Sequence, residues 1–126
     1  MKTTLIAFSI LATLMIAGAY FHRTTDQLCK NLQEELEIGS NFAQVENWDA
    51  ATKTFTNMLR TWENGAKSLA VFTHHDLLDS IRISLARITS ASKSNDINTL
   101  QLEIATFLEE LRDLQEADRL ELSNVF

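Results

Sequence analysis

Proline is absent from this chain of 126 residues, and glycine occurs only at Gly18, Gly39 and Gly65. The sequence therefore has few devices for stopping a helix sharply or for turning a tight hairpin. No stretch alternates apolar and polar residues between turn dipeptides, so strands have little support. Cys29 is the single cysteine, which excludes an internal disulfide. It lies too far past the apolar leader, after Asp26-Gln27-Leu28, to be a lipoprotein cysteine. Its place beside Leu28 on an apolar stripe reads as a buried thiol, with an intermolecular disulfide as the alternative outside the cell. Basic residues are scarce, 11 against 17 acidic ones, for a net charge of −6. The excess is concentrated after Ser94, where only Arg112 and Arg119 oppose a run of acids from Asp96 to Glu121. That balance argues against nucleic acid and against electrostatic binding of that part to anionic lipid. A solvated helix face is its plain meaning. Also missing are a Gly-rich phosphate loop, a Cys-x-x-Cys pair and a Gly-x-Ser-x-Gly elbow.

What is present begins with Thr3 to Phe21, TTLIAFSILATLMIAGAYF, a run without a charge. As one helix it is long enough to cross a hydrocarbon layer of roughly 30 Å. Two readings compete. As a signal peptide, Lys2 supplies the n-region, Leu5 to Ile16 the h-region, and Ala17-Gly18-Ala19 a cleavage site before Tyr20. As a retained anchor, the run continues into Tyr20 and Phe21, aromatics suited to a membrane interface, followed by His22 and Arg23. Helical patterning resumes without a breaker, and the anchor is the preferred reading. Charges flanking the run are nearly even, with Lys2 on one side and Arg23 and Lys30, offset by Asp26, on the other. A two-residue N-terminal tail favours an internal N-terminus, so residues 22–126 are expected outside the cytoplasm. The expected domains are residues 1–22, anchor or signal, and residues 23–126, an extracytoplasmic helical domain.

Four helices follow from the 3.6-residue period. Helix one runs from the membrane to about Val45 on a stripe of Leu28, Leu32, Leu36, Gly39 and Ala43. It is expected to continue through Gly39, which would let a neighbour approach closely. Asn47 caps helix two, with Trp48, Ala51, Phe55, Met58, Leu59, Trp62, Ala66 and Leu69 in register. Asn64-Gly65 is a possible stop, but the periodicity carries this helix to about Phe72. Asp76 is expected to cap helix three (Leu78, Ile81, Leu85, Ile88, with Leu77 at the edge). Asp96 caps helix four (Ile97, Leu100, Ile104, Phe107, Leu108, Leu111, Leu114). Leu122, Val125 and Phe126 either pack back on the bundle or fray. Helices two and four superimpose at an offset of 49, Trp48 on Ile97 and Trp62 on Leu111, and Leu28 falls on Leu77. This suggests two helical hairpins. Because 49 is seven heptads, any two amphipathic helices would match so. The safer statement is an all-α fold: a transmembrane helix, then an antiparallel four-helix domain.

Candidate chemistry is confined to His74-His75-Asp76 with Asp79. His75 and Asp79 share a helical face at a spacing that a metal can use. A zinc site needs further ligands, and there is no second His/Cys cluster, so capping of helix three is the reading adopted. No catalytic, cofactor or metal residue is assigned, and no enzyme is expected. Arg82 and Arg87 are expected to pair with Glu103 or Glu110. Trp48, Trp62 and Phe55 read as core anchors, with a ligand platform as the alternative.

The apolar leader, Asn47-Trp48-x-x-Ala51, Trp62, His75-Asp76, Ile83-Ser84-Leu85-Ala86-Arg87 and the closing Asn124-Val125-Phe126 resemble the bacterial domain-of-unknown-function family 4363. The resemblance implies a small membrane-anchored helical protein of bacteria and assigns no activity, ligand or site. The expected role is an interaction or structural module held at the cell surface by a single pass. Its partners are the membrane and, as an option, another membrane protein. The alternatives are a sensory domain that binds a ligand and a secreted helical protein.

Overall fold

A computed structural model of the chain describes residues 1–70 and 73–125, with side chains described as far as Arg119. The expectations for Phe72, Leu122, Val125 and Phe126 fall outside that description. Four helices make up the described chain: α1 (Lys2–Gln44), α2 (Trp48–Leu69), α3 (His75–Lys93) and α4 (Ile97–Val125). Each packs on its neighbours in sequence, and α1 also packs on α4, which closes a ring of antiparallel helices.

Helix α1 is a single helix of 43 residues. Its first half is apolar around the whole circumference and meets no other part of the fold: through Tyr20, every residue except Ala12 and Gly18 is exposed. From Thr25 onward the helix is one-sided, burying Leu28, Cys29, Leu32, Leu36, Gly39 and Ala43. Against these stand Phe55, Met58, Trp62 and Leu69 of α2, Ile81, Leu85 and Ile88 of α3, and Leu100, Phe107, Leu111 and Leu114 of α4. Helix α1 passes through Gly39 because the ring of Phe55 occupies the space a side chain would fill. A Cβ at that position would stand 2.5 Å from Phe55 Cε1.

The two hairpins are repeats, and their joints show it more firmly than their stripes. Glu46 and Asn95, 49 positions apart, both take the left-handed conformation, with φ of 61° and 55°. The Glu46 amide donates to Ala43 O and the Asn47 amide to Phe42 O, at 3.0 and 2.9 Å. The Asn95 amide donates to Ser92 O and the Asp96 amide to Ala91 O, at 3.1 and 3.0 Å. Both sets close a helix end with the paired bonds of a Schellman motif. The next residue then caps the following helix, Asn47 Oδ1 accepting from the Ala50 amide and Asp96 Oδ1 from the Thr99 amide. The Thr99 hydroxyl also donates to Asp96, and these bonds hold its carboxyl below the ordinary value. Within each hairpin a hydroxyl–carboxylate pair joins the helices. The Thr61 hydroxyl donates to Glu35 in the first hairpin and the Ser84 hydroxyl donates to Glu110 in the second. These four positions correspond at the same offset, with hydroxyl and carboxylate exchanged. Heptad arithmetic alone cannot generate matching turns, caps and cross-links.

Several local expectations need correction. Helix α3 begins at His75, so Asp76 lies in its first turn, and the N-cap position is held by His74 without a side-chain cap bond. Arg82 approaches Asp79, one turn away on its own helix, at 4.0 Å rather than an acid of α4. Glu110 is taken by Ser84, and burial raises its carboxyl above the ordinary value. Leu108 is 41% exposed and outside the core.

Gly39→Ala is expected to lower stability by about 1–3 kcal/mol through overpacking, although alanine favours helix by about 1 kcal/mol over glycine. Adding Phe55→Leu should recover part of the loss. Urea unfolding of the two variants checks this, and a Gly39→Ala protein more stable than its parent contradicts it.

Candidate functional site

With the repeat as a ruler, positions where the hairpins differ become visible. Two of them lie at one end of the bundle, its foot, where α1 emerges from the apolar segment. Gly65 of α2 corresponds to Leu114 of α4, which is buried. Leu69 of α2, fully buried, corresponds to Asp118 of α4.

Asp118 places a carboxylate where the sister hairpin has leucine. It is 5% exposed. Its Oδ2 lies 2.5 Å from His22 Nδ1, which ties the last turns of α4 to the first residue after the apolar run. The other oxygen, Oδ1, is buried without a hydrogen-bond partner. Leaving a buried acceptor unpaired costs about 1–3 kcal/mol, and an ion pair is seldom more stable than well-packed apolar residues. The leucine-to-aspartate difference therefore works against stability and fixes how α4 seats on α1. On the same face of α1, the Thr25 hydroxyl is satisfied by Phe21 O. Cys29 is fully buried. Burial first, and then the negative charges of Asp26 and Asp118, push its thiol up to about 12 from an ordinary 9.0. A thiol so poor at ionising is an unreactive core group. The expected burial of Cys29 is observed, and this geometry offers no route to an intermolecular disulfide.

Gly65 opens space on the other side of α1. A Cβ there would stand 2.7 Å from the methyl groups of Leu28, so this leucine settles onto the glycine. Outward of that contact lies a groove of about 430 Å³ lined by Tyr20, Arg23, Thr24, Gln27 and Asn31 of α1. Gln27 Nε2 donates to Asn31 Oδ1 at 2.9 Å along the groove wall. A second, smaller groove of about 190 Å³ lies between α1 and α4, lined by Ala43, Ile97, Gln101 and Ile104 among others. The repeat explains it as well. At the matching α2–α3 seam, the bulkier Trp48 and Phe55 stand at the positions of Ile97 and Ile104. There a bond of 2.7 Å between Thr52 and Ser92 occupies the positions of Gln101 and Ala43.

The residues singled out from the sequence are dispersed or buried. His74, His75, Asp76 and Asp79 are all exposed. His75 and Asp79 line an open groove of about 440 Å³ beside Arg82 and Lys67. Among the described residues no three His, Cys, Asp or Glu side chains converge as metal ligands would. Phe55 and Trp62 are core, Trp62 also borders the groove lined by His75 and Asp79, and Trp48 is half-buried. The His22–Asp118 contact spans 96 positions and left no local signal. The nearest clue was an acid at a position where the stripe of α4 calls for an apolar residue.

Fold and foot together define a class: a four-helix protein of two repeated hairpins whose first helix carries an apolar extension. The chain belongs to the domain-of-unknown-function family DUF4363, whose model matches residues 19–125. The match begins after most of the apolar run and covers both hairpins. No curated protein and no solved structure matches the chain.

His22→Ala should destabilise the domain by on the order of 1–3 kcal/mol, because it strands the buried carboxylate. Asp118→Leu, the residue of the sister hairpin, should be neutral or stabilising. In the Asp118→Leu background, His22→Ala should cost little. Chemical denaturation of the four proteins as a double-mutant cycle checks this. The Cys29 thiol should resist alkylation at pH 8 until the chain unfolds. Because its folded value is raised, its contribution is fully present below pH 9 and is lost as pH climbs from about 9 to about 12.

Proposed function

We propose that this protein is a single-pass, membrane-anchored helical module that holds an extracytoplasmic four-helix domain next to the bilayer and acts by interaction rather than by catalysis. The observation that carries the reading is the continuity of α1. One helix supplies both the uncovered apolar segment and the first quarter of the core. By length and composition it is the one described helix able to cross a membrane. A signal sequence passes the same test. Continuity favours retention, because cleavage before Tyr20 would cut a helix in mid-course, two residues ahead of His22.

The uncharged run from Thr3 to Phe21, as one helix, is roughly 28 Å long, close to the thickness of a hydrocarbon core. Tyr20, 74% exposed, falls in the interface, where tyrosine is favoured.

Two experiments test the reading. The full chain expressed in bacteria should stay with membranes through alkaline carbonate and keep its original N-terminus. An impermeant amine reagent should label Lys53 and Lys67 on intact cells. A soluble product beginning at Tyr20 would replace the anchor with secretion, and lysines labelled only after lysis would reverse the topology.

A further inference from the structure

We infer that the open groove between α2 and α3 binds the zwitterionic head of a small apolar α-amino acid. The groove, of about 440 Å³, takes no residue from α1 or α4, so the inference stands apart from the membrane reading. Trp62 reaches it from the core and is 1% exposed. Among the described residues nothing accepts a hydrogen bond from its indole Nε1, yet that nitrogen is not enclosed. A buried tryptophan ordinarily gives its N–H a partner, and the groove is the space onto which this one opens. Arg82 and Asp79 supply charges beside it. They stand one turn apart on α3, with Arg82 Nε 4.0 Å from Asp79 Oδ1. That separation is too long for a hydrogen bond, so the guanidinium keeps its donors and the carboxylate its acceptors for a third party. An α-amino acid carries its carboxylate and its ammonium on one carbon, two unlike charges at a similar separation. Its carboxylate accepts from the Arg82 fork and from Trp62 Nε1, and its ammonium donates to Asp79. Helix α2 adds one charge of each sign, Lys67 and Glu63, so the charges of the lining balance, as those of the ligand do. Ala66, Ala70 and Leu78 leave apolar wall for a side chain. The repeat supplies the contrast. At the offset of 49, Trp62, Asp79 and Arg82 fall on Leu111, Lys30 and Gln33. The sister seam therefore lacks the indole donor, reverses one charge and removes the other.

The test is calorimetric titration of L-leucine into the full-length chain in phosphatidylcholine nanodiscs, with empty nanodiscs as the blank. A saturable heat is expected. Isoamylamine, which lacks the carboxylate, and isocaproate, which lacks the ammonium, should each bind roughly tenfold more weakly or worse, the effect of losing a hydrogen bond to a charged group. Arg82→Gln and Asp79→Asn, both at exposed positions, should each weaken leucine by a similar factor. Arg60→Gln, an exposed change on α2 outside the groove, should leave it intact. In Trp48→Phe the remaining indole is that of Trp62, and its emission should follow the same saturation curve. Absence of a saturable heat would overturn the site. Equal affinity for isocaproate or for isoamylamine would overturn the zwitterion in favour of a plain anion or cation. Unchanged affinity in Arg82→Gln and Asp79→Asn, or an equal loss in Arg60→Gln, would put the ligand elsewhere and overturn the groove. None of these outcomes touches the anchor, which carbonate extraction decides.

Discussion

Everything in this fold hangs on α1 staying helical across the point where its surroundings change. Up to Phe21 its side chains suit lipid on every side, and from Thr25 they suit a protein core on one side only. A helix can carry both patterns without a joint because the backbone satisfies its own hydrogen bonds in either solvent. The absence of proline permits this, and so does Gly39, whose helical cost is offset by the close seating of Phe55. The consequence is mechanical. Without a hinge between the apolar segment and the bundle, the two share one helix axis, and the His22–Asp118 contact extends that constraint to α4.

The repeat sets the economy of the structure. Two hairpins with the same turn, the same cap position and a mirrored hydroxyl–carboxylate bond enclose one core, each covering the face its sister cannot bury alone. A stable frame of this kind makes departures informative. Asp118 for Leu69 and Gly65 for Leu114 each remove buried apolar surface from a small domain that has little to spare. Both fall at the foot. The opposite end, at the two turns, departs less, and the groove there between α1 and α4 comes from smaller side chains than those at the matching seam.

Much of the fold was legible because its signals are local. The stripes named most of the core, and Asn47 and Asp96 announced their caps by being the last polar residues before an apolar period. Other features failed for physical reasons. An acid ahead of an apolar run reads as a cap wherever it sits in the first turn, and so Asp76 displaced His74. Arg82 was assigned to α4 by charge alone but turns to Asp79 on its own helix, whereas Arg87 does act on Glu110 electrostatically, beside the Ser84 bond. The foot was nearly invisible. Gly65 reads as a helix stop until it is set beside Leu114, and Asp118 reads as solvated charge until the fold brings His22 to it. The offset of 49 carried that information, and the paired turn residues Glu46-Asn47 and Asn95-Asp96 were the clue that separated it from heptad coincidence.

The most direct test of an unbroken α1 is hydrogen exchange of the full-length chain in lipid nanodiscs, read residue by residue from position 15 to position 32. A continuous helix predicts slow exchange throughout, with residues 18–26 opening no faster than the turns on either side. A fast-exchanging break between Tyr20 and Thr24, with anchor and domain protected separately, would contradict the account.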